Sequence, residues 1–98
     1  MTIKRTKIGQ KKHDTSVLSS VKNYESRGYI VKADLPGYKK PKQIGKYIPD
    51  IIARKDGTEI IVEVETTKSI KTDIEQIAAF REYSKKSASR TFKIKKTK

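Results

Sequence analysis

The 98-residue sequence contains no cysteine and no tryptophan, a single histidine, a single methionine, and only 11 acidic residues against 24 Lys and Arg. Without cysteine there is no disulfide framework, no thiolate zinc site and no cysteine nucleophile. His13 alone cannot build a multi-histidine metal site. Apolar residues make up 34% of the chain, against the usual ~45–50% that counts glycine. A small core with solvated arms or loops around it is therefore expected. The apolar runs are only a few residues long, too short for a membrane-spanning helix. Met1-Thr2-Ile3-Lys4-Arg5 also lacks the apolar stretch of a secretory signal. These absences predict one soluble, cytoplasmic, basic domain with no membrane partner.

The positive excess, formally +13, is unevenly placed. Residues 1–13 carry Lys4, Arg5, Lys7, Lys11 and Lys12 with no acid, and read as a basic N-terminal arm before a domain over 14–98. Residues 38–47 carry Lys39, Lys40, Lys42 and Lys46, and residues 85–98 carry Lys85, Lys86, Arg90, Lys93, Lys95, Lys96 and Lys98, again with no acid. The remainder holds eight basic and eleven acidic residues. Basic flanks around an acidic middle suit a polyphosphate partner with a distinct chemical site inside the contact surface. Solvated terminal tails are the alternative for the outermost lysines, but Tyr38, Pro41, Gly45 and Tyr47 punctuate the 38–47 segment as an ordered loop. Candidate nucleic-acid contacts are Lys11, Lys12, Lys39, Lys40, Lys42, Lys46, Lys85 and Lys86. With nineteen Lys and five Arg, phosphate contact should outweigh bidentate base reading.

Asp14-Thr15-Ser16 followed by Val17, Leu18, Val21 and Tyr24 predicts a helix over about 15–27, stopped by Gly28. Tyr29–Ala33, Tyr47–Ala53 and Glu59–Thr66 read as strands. Thr72-Asp73 caps a second helix whose stripe is Ile74, Ile77, Ala78 and Arg81, with Ile70 packing ahead of it. Thr91–Lys95 reads as a final edge strand, marked by its lysines. Asp56-Gly57 is the strongest turn signal and predicts a two-residue hairpin. With that turn Lys55 faces Thr58, Ile51 faces Val62, and Asp50 falls directly opposite Glu63. One face then carries Pro49, Ile51, Ala53, Ile60, Val62 and Val64, all apolar; the other carries Ile48, Asp50, Ile52, Ile61, Glu63 and Glu65. A one-residue slip would scramble the apolar face. Facing carboxylates about 4.5–5.5 Å apart at Cβ repel, and Glu65 adds a third. Pairing with nearby Lys or Arg on an exposed face would relieve this. A divalent cation would relieve it on a face partly covered by a helix, as Ile48, Ile52 and Ile61 suggest. Hard oxygen donors favour magnesium or manganese.

Pro49-Asp50, twelve residues, then Glu63-Val64-Glu65 resembles the PD-(D/E)XK, or restriction-endonuclease-like, nuclease superfamily. Tyr47-Ile48-Pro49-Asp50-Ile51-Ile52-Ala53 with Ile61-Val62-Glu63-Val64-Glu65 looks most like its archaeal Holliday junction resolvase branch. The resemblance covers roughly residues 15–95. It implies an α/β fold: helix-strand-strand-strand-helix-strand, with a mixed four-stranded sheet flanked by helices. It also implies phosphodiester hydrolysis with magnesium or manganese bound by Asp50, Glu63 and the carbonyl of Val64. Where the family has a lysine, this sequence has Glu65, which puts catalysis in question. Some branches carry glutamate there and remain active, and Lys68 or Lys32 could supply the ammonium instead. The first-helix glutamate of resolvases is also missing; Asp14 could substitute, though it also reads as a helix cap, and Glu25 lies near the helix end. Gln76 resembles a glutamine used by some nuclease branches. The expected function is a magnesium-dependent DNA endonuclease, with branched or junction DNA as its candidate substrate and Asp50, Glu63, Glu65, Lys68 and Gln76 in its catalytic set. A homodimer would supply two sites for two strands. The alternatives are a non-catalytic nucleic-acid-binding module that kept the nuclease frame, and an architectural basic protein.

Overall fold

Asp56 and Gly57 both take positive φ (50° and 80°), the backbone a type I′ hairpin turn requires, and the sheet is organised around this turn. The computed structural model describes residues 7–97, with side chains from Lys11 onward. Its elements run α1 (Lys7–Ser26), β1 (Ile30–Ala33), β2 (Ile51–Lys55), β3 (Thr58–Glu65), α2 (Thr67–Thr72), α3 (Ile74–Lys85) and β4 (Arg90–Lys96). The four strands form one sheet in the order β1-β2-β3-β4. β1/β2 and β2/β3 are antiparallel, and β3/β4 is parallel. This is the expected mixed four-stranded α/β sheet with flanking helices. The β2/β3 register is also the expected one, with Lys55 opposite Thr58 and Ile51 opposite Val62.

The two faces of the hairpin build two cores. Ile51, Ala53, Ile60, Val62 and Val64 pack with Val17, Val21 and Tyr24 of α1. On the other face Ile52 and Ile61 pack with Ile44 of the basic loop and Phe80 of α3. The second face is therefore covered, as its isoleucines required; only Ile48, at its margin, is 40% exposed. The 38–47 loop is fixed by a bridge between Ile44 and Tyr47 and by the Ala33 N–H donating to the Lys39 carbonyl at 3.0 Å.

Several boundaries differ from expectation for identifiable reasons. α1 begins at Lys7 rather than near 15, so residues 7–13 of the expected arm are helical; residues 1–6, with Lys4 and Arg5, and Lys98 lie outside the described residues. β2 begins at Ile51 rather than Tyr47, because Pro49 has no N–H to continue a ladder. An extra short helix, α2, precedes α3. Thr66 accepts from the Ser69 N–H at 2.9 Å and Ser69 Oγ accepts from the Thr66 N–H at 2.7 Å, a reciprocal cap. Asp73, expected as a side-chain cap of α3, makes no such bond. The buried stripe of α3 is Ile77, Phe80 and Ser84, whereas Ile74 is 64% exposed and Ala78 and Arg81 face solvent.

α1 ends as its glycine predicts. The Tyr29 N–H donates to the Tyr24 carbonyl at 3.1 Å and the Gly28 N–H to the Glu25 carbonyl at 3.0 Å, with the Tyr24 and Tyr29 rings in edge contact at 5.2 Å. This closing motif needs a left-handed residue, and Gly28 has φ 88°. An added Cβ would meet only Lys55 side-chain atoms at 3.6 Å, so Gly28→Ala pays for backbone strain alone. Urea unfolding should show a loss of about 1 kcal/mol.

Candidate active site

Asp50 sits one residue ahead of β2, where the hairpin register continues to place it across from Glu63. Side chains replace the ladder there. The Asp50 N–H donates to Glu63 Oε1 at 2.7 Å, and the Val64 N–H donates to Asp50 Oδ2 at 2.9 Å. In the alternation of an antiparallel pair, Val64 turns its N–H and C=O toward β2. Pro49, the residue opposite, has no N–H to offer that carbonyl. The Pro-Asp dipeptide thus does two things: it ends the ladder and it leaves Val64's carbonyl turned toward the acids.

Glu63 is 2% exposed, and its second oxygen accepts from Gln76 Nε2 on α3 at 2.7 Å. Burial, and then the neighbouring Asp50 charge, push its pKa up to about 9. Glu65 is 1% exposed. Its Oε2 accepts from the Ser69 hydroxyl, the same group that caps α2, and its Oε1 is buried without a hydrogen-bond partner among the described residues. Burial raises the Glu65 pKa to about 7; the Ser69 bond works against the rise and Asp73 reinforces it. The site gathers more acids than its surroundings can keep ionised.

The one basic side chain within ion-pair distance of these acids, among the described residues, is His13: its Nε2 lies 3.1 Å from Asp50 Oδ2. It arrives from α1 and is itself buried, at 9% exposure. As the single histidine of the sequence it cannot build a multi-histidine site, and nothing in its immediate neighbours points to Asp50. The usable signal was the helical stripe His13, Val17, Val21, legible only once the helix is extended past Asp14. Ser69 was missed as well, because its role depends on the unforeseen α2. Asp14 is half-exposed beside His13, with its Oδ1 3.3 Å from Nδ1, and acts as neither a helix cap nor an acid touching Glu63. Lys68 is exposed on α2 and, among the described residues, forms no ion pair with Asp50, Glu63 or Glu65. Lys32 is half-buried on β1 opposite Ile52, and hence on the acidic face.

The lysines sort by position. Lys11 and Lys12 are exposed on the turn of α1 that carries His13, and Lys46 is exposed in the segment leading to Asp50. Lys85 and Lys86 stand at the far end of α3, about 14 Å along the helix axis from Gln76 at 1.5 Å per residue. Lys40 and Lys42 are partly occupied: Lys40 lies 4.0 Å from Asp34 and Lys42 3.6 Å from Glu59. Glu59 anchors a separate row beside the Asp56-Gly57 turn, opposite Arg54 on one side and Arg90 on the other. Burial would raise its pKa, but the Tyr83 hydroxyl at 2.8 Å, Arg54 and Lys42 outweigh that and hold it below the ordinary value.

Among the described residues no three carboxylate or imidazole groups converge as a ready-made ion cage; Glu63 accepts from the Asp50 N–H and Asp50 from the Val64 N–H. The donor set nonetheless suits a hard divalent cation: three buried carboxylates, one orphaned buried oxygen and a carbonyl facing proline.

A mixed four-stranded sheet between helices, with Pro-Asp opposite Glu-x-Glu at the end of its central hairpin, is the frame of the restriction-endonuclease-like nucleases. The chain matches the family model described as REase_AHJR-like over residues 5–96 and belongs to that restriction-endonuclease-like family. No curated protein and no solved structure shows a significant match to it. Among the described residues no helix is long and apolar enough to cross a membrane.

Proposed function

We propose that the protein is a divalent-metal-dependent DNA endonuclease, using magnesium or manganese, that acts on branched or junction DNA. The observation that carries this reading is the Asp50–Glu63 pair, two acids locked across a hairpin end beside a carbonyl that proline leaves without a ladder partner. Asp50, Glu63 and the Val64 carbonyl would hold the ion. When bound, such an ion lowers the pKa of water and offsets charge building on a scissile phosphate. Gln76 orients Glu63, and Ser69 ties Glu65 to α2. Ile52 and Ile61 keep bulk water from the floor of the site. Lys11 and Lys12, exposed on the turn of α1 that carries His13, and Lys46, exposed in the segment leading to Asp50, suit flanking phosphates. The predominance of lysine favours recognition of backbone shape over base sequence. Two sites for a symmetric junction would come from a homodimer.

A second reading is favoured by one observation: Glu65 replaces the family's lysine, and Lys68 points to solvent. Under it the protein binds nucleic acid without cutting. Incubation with labelled linear duplex, single-stranded and four-way DNA in magnesium or manganese separates the two. The nuclease reading expects nicking, fastest on the branched substrate. No cleavage of any substrate, with no manganese uptake by calorimetry, would leave the binding module.

A further inference from the structure

Asp50 lies outside the sheet ladder, so something other than strand pairing must set its carboxylate. Two donors meet on one of its oxygens. The Val64 N–H reaches Oδ2 at 2.9 Å and His13 Nε2 reaches the same atom at 3.1 Å. An ionised carboxylate only accepts, so Nε2 carries the hydrogen and donates. With both donors on Oδ2, the other oxygen of Asp50 is the one left to meet a cation. His13 occupies a buried position in the stripe it shares with Val17 and Val21, where an apolar residue would pack at less cost. Its other nitrogen, Nδ1, lies 3.3 Å from Asp14 Oδ1; that carboxylate also only accepts, so the contact steadies the ring plane when Nδ1 carries a hydrogen as well. The same helical turn carries the exposed Lys11 and Lys12.

We propose that His13, steadied by Asp14, is the positioning residue for Asp50: the α1 imidazole holds one carboxylate oxygen so that the other is presented to the divalent ion, and so ties the basic first helix to assembly of the metal site. The inference rests on the metal-site reading above and adds to it a part played by α1. Partners that orient metal-binding side chains typically contribute ~10–100-fold to affinity.

The test is calorimetric titration of the full-length protein with manganese in the absence of DNA, for wild type, His13→Ala, His13→Gln and Asp14→Asn. His13→Ala should weaken manganese binding at least about tenfold. His13→Gln, which retains an N–H donor of similar reach, should recover most of that loss. Asp14→Asn leaves the ring in place and should weaken binding only about threefold, and it serves if the alanine variant does not fold. DNA affinity in metal-free buffer should be the same for wild type and the two His13 variants, and equal or higher for Asp14→Asn, which removes an acid beside Lys11 and Lys12. Manganese affinity unchanged in a folded His13→Ala overturns the proposal. So does an equal loss in the alanine and glutamine variants that tracks their melting temperatures, since that would mark a purely structural histidine. A wild type that takes up no manganese would instead remove the metal reading itself, and this inference with it.

Discussion

Asp50→Asn should lower cleavage on the order of a thousandfold or more while leaving DNA affinity equal to or above that of the wild type. Asparagine keeps an oxygen for the Val64 N–H and for His13 Nε2 and fits the same space, so the fold survives. What is lost is one negative charge from the acid pair, and with it the attraction for a divalent cation. Removing that charge also relieves Glu63, whose burial and whose Asp50 neighbour together raise its pKa to about 9. The variant should therefore be no less heat-stable than the wild type near pH 8. DNA binding is expected to hold because the proposed phosphate contacts are Lys11, Lys12 and Lys46, and an acid beside a phosphate track opposes binding. A variant that still cuts at the wild-type rate would place the chemistry elsewhere. Gel-shift and single-turnover cleavage assays on one substrate separate the two effects.

The second large effect concerns pH. In the metal-free protein Glu63 and Glu65 titrate near 9 and 7 rather than at the ordinary 4.5. Between about pH 5 and 9 the folded state therefore holds protons that the unfolded chain has released. Stability falls as pH rises wherever the native state binds more protons. The contribution from these two groups is complete below pH 4.5 and is lost progressively as pH rises through the two raised values. The melting temperature of metal-free protein should accordingly decline from pH 5 to pH 9, the reverse of an ordinary carboxylate-stabilised domain. Manganese should cancel the decline, because a bound divalent ion favours the ionised acids and releases their protons. Thermal melts across that range, with and without manganese, check both halves. A melting temperature that rises steadily with pH in metal-free buffer would contradict the crowded-acid account.

The same acids mark what can be read from an isolated sequence. The hairpin was legible because two independent signals agreed: Asp56-Gly57 supplies the positive φ of the turn, and the alternation from Ile51 to Val64 admits one register. Asp50 opposite Glu63 followed from those alone. The start of α1 was not legible. Residues 7–14 hold lysines, Gln10, His13 and Asp14, with little apolar periodicity to announce a helix, and Asp14 imitates a cap. That error hid His13, whose partner is 37 residues away in the chain. The break between α2 and α3 was likewise obscured, because the α2 cap uses Ser69 where glutamate or glutamine is the usual signature. Gln76 was singled out from family likeness, but only packing of α3 across β3 brings it onto Glu63. Long-range pairs of this kind are set by tertiary packing, which local patterns do not encode.

The proposed chemistry requires that the acids at the open end of the hairpin gather a cation. Crystals grown from the wild-type protein and soaked in manganese answer this directly by anomalous scattering. The prediction is a single strong peak about 2.1 Å from carboxylate oxygens of Asp50 and Glu63 and from the Val64 carbonyl, with His13 still on Asp50. Well-ordered crystals with no peak at this end of the hairpin, and with Asp50 and Glu63 still bonded to each other's strand, would contradict it.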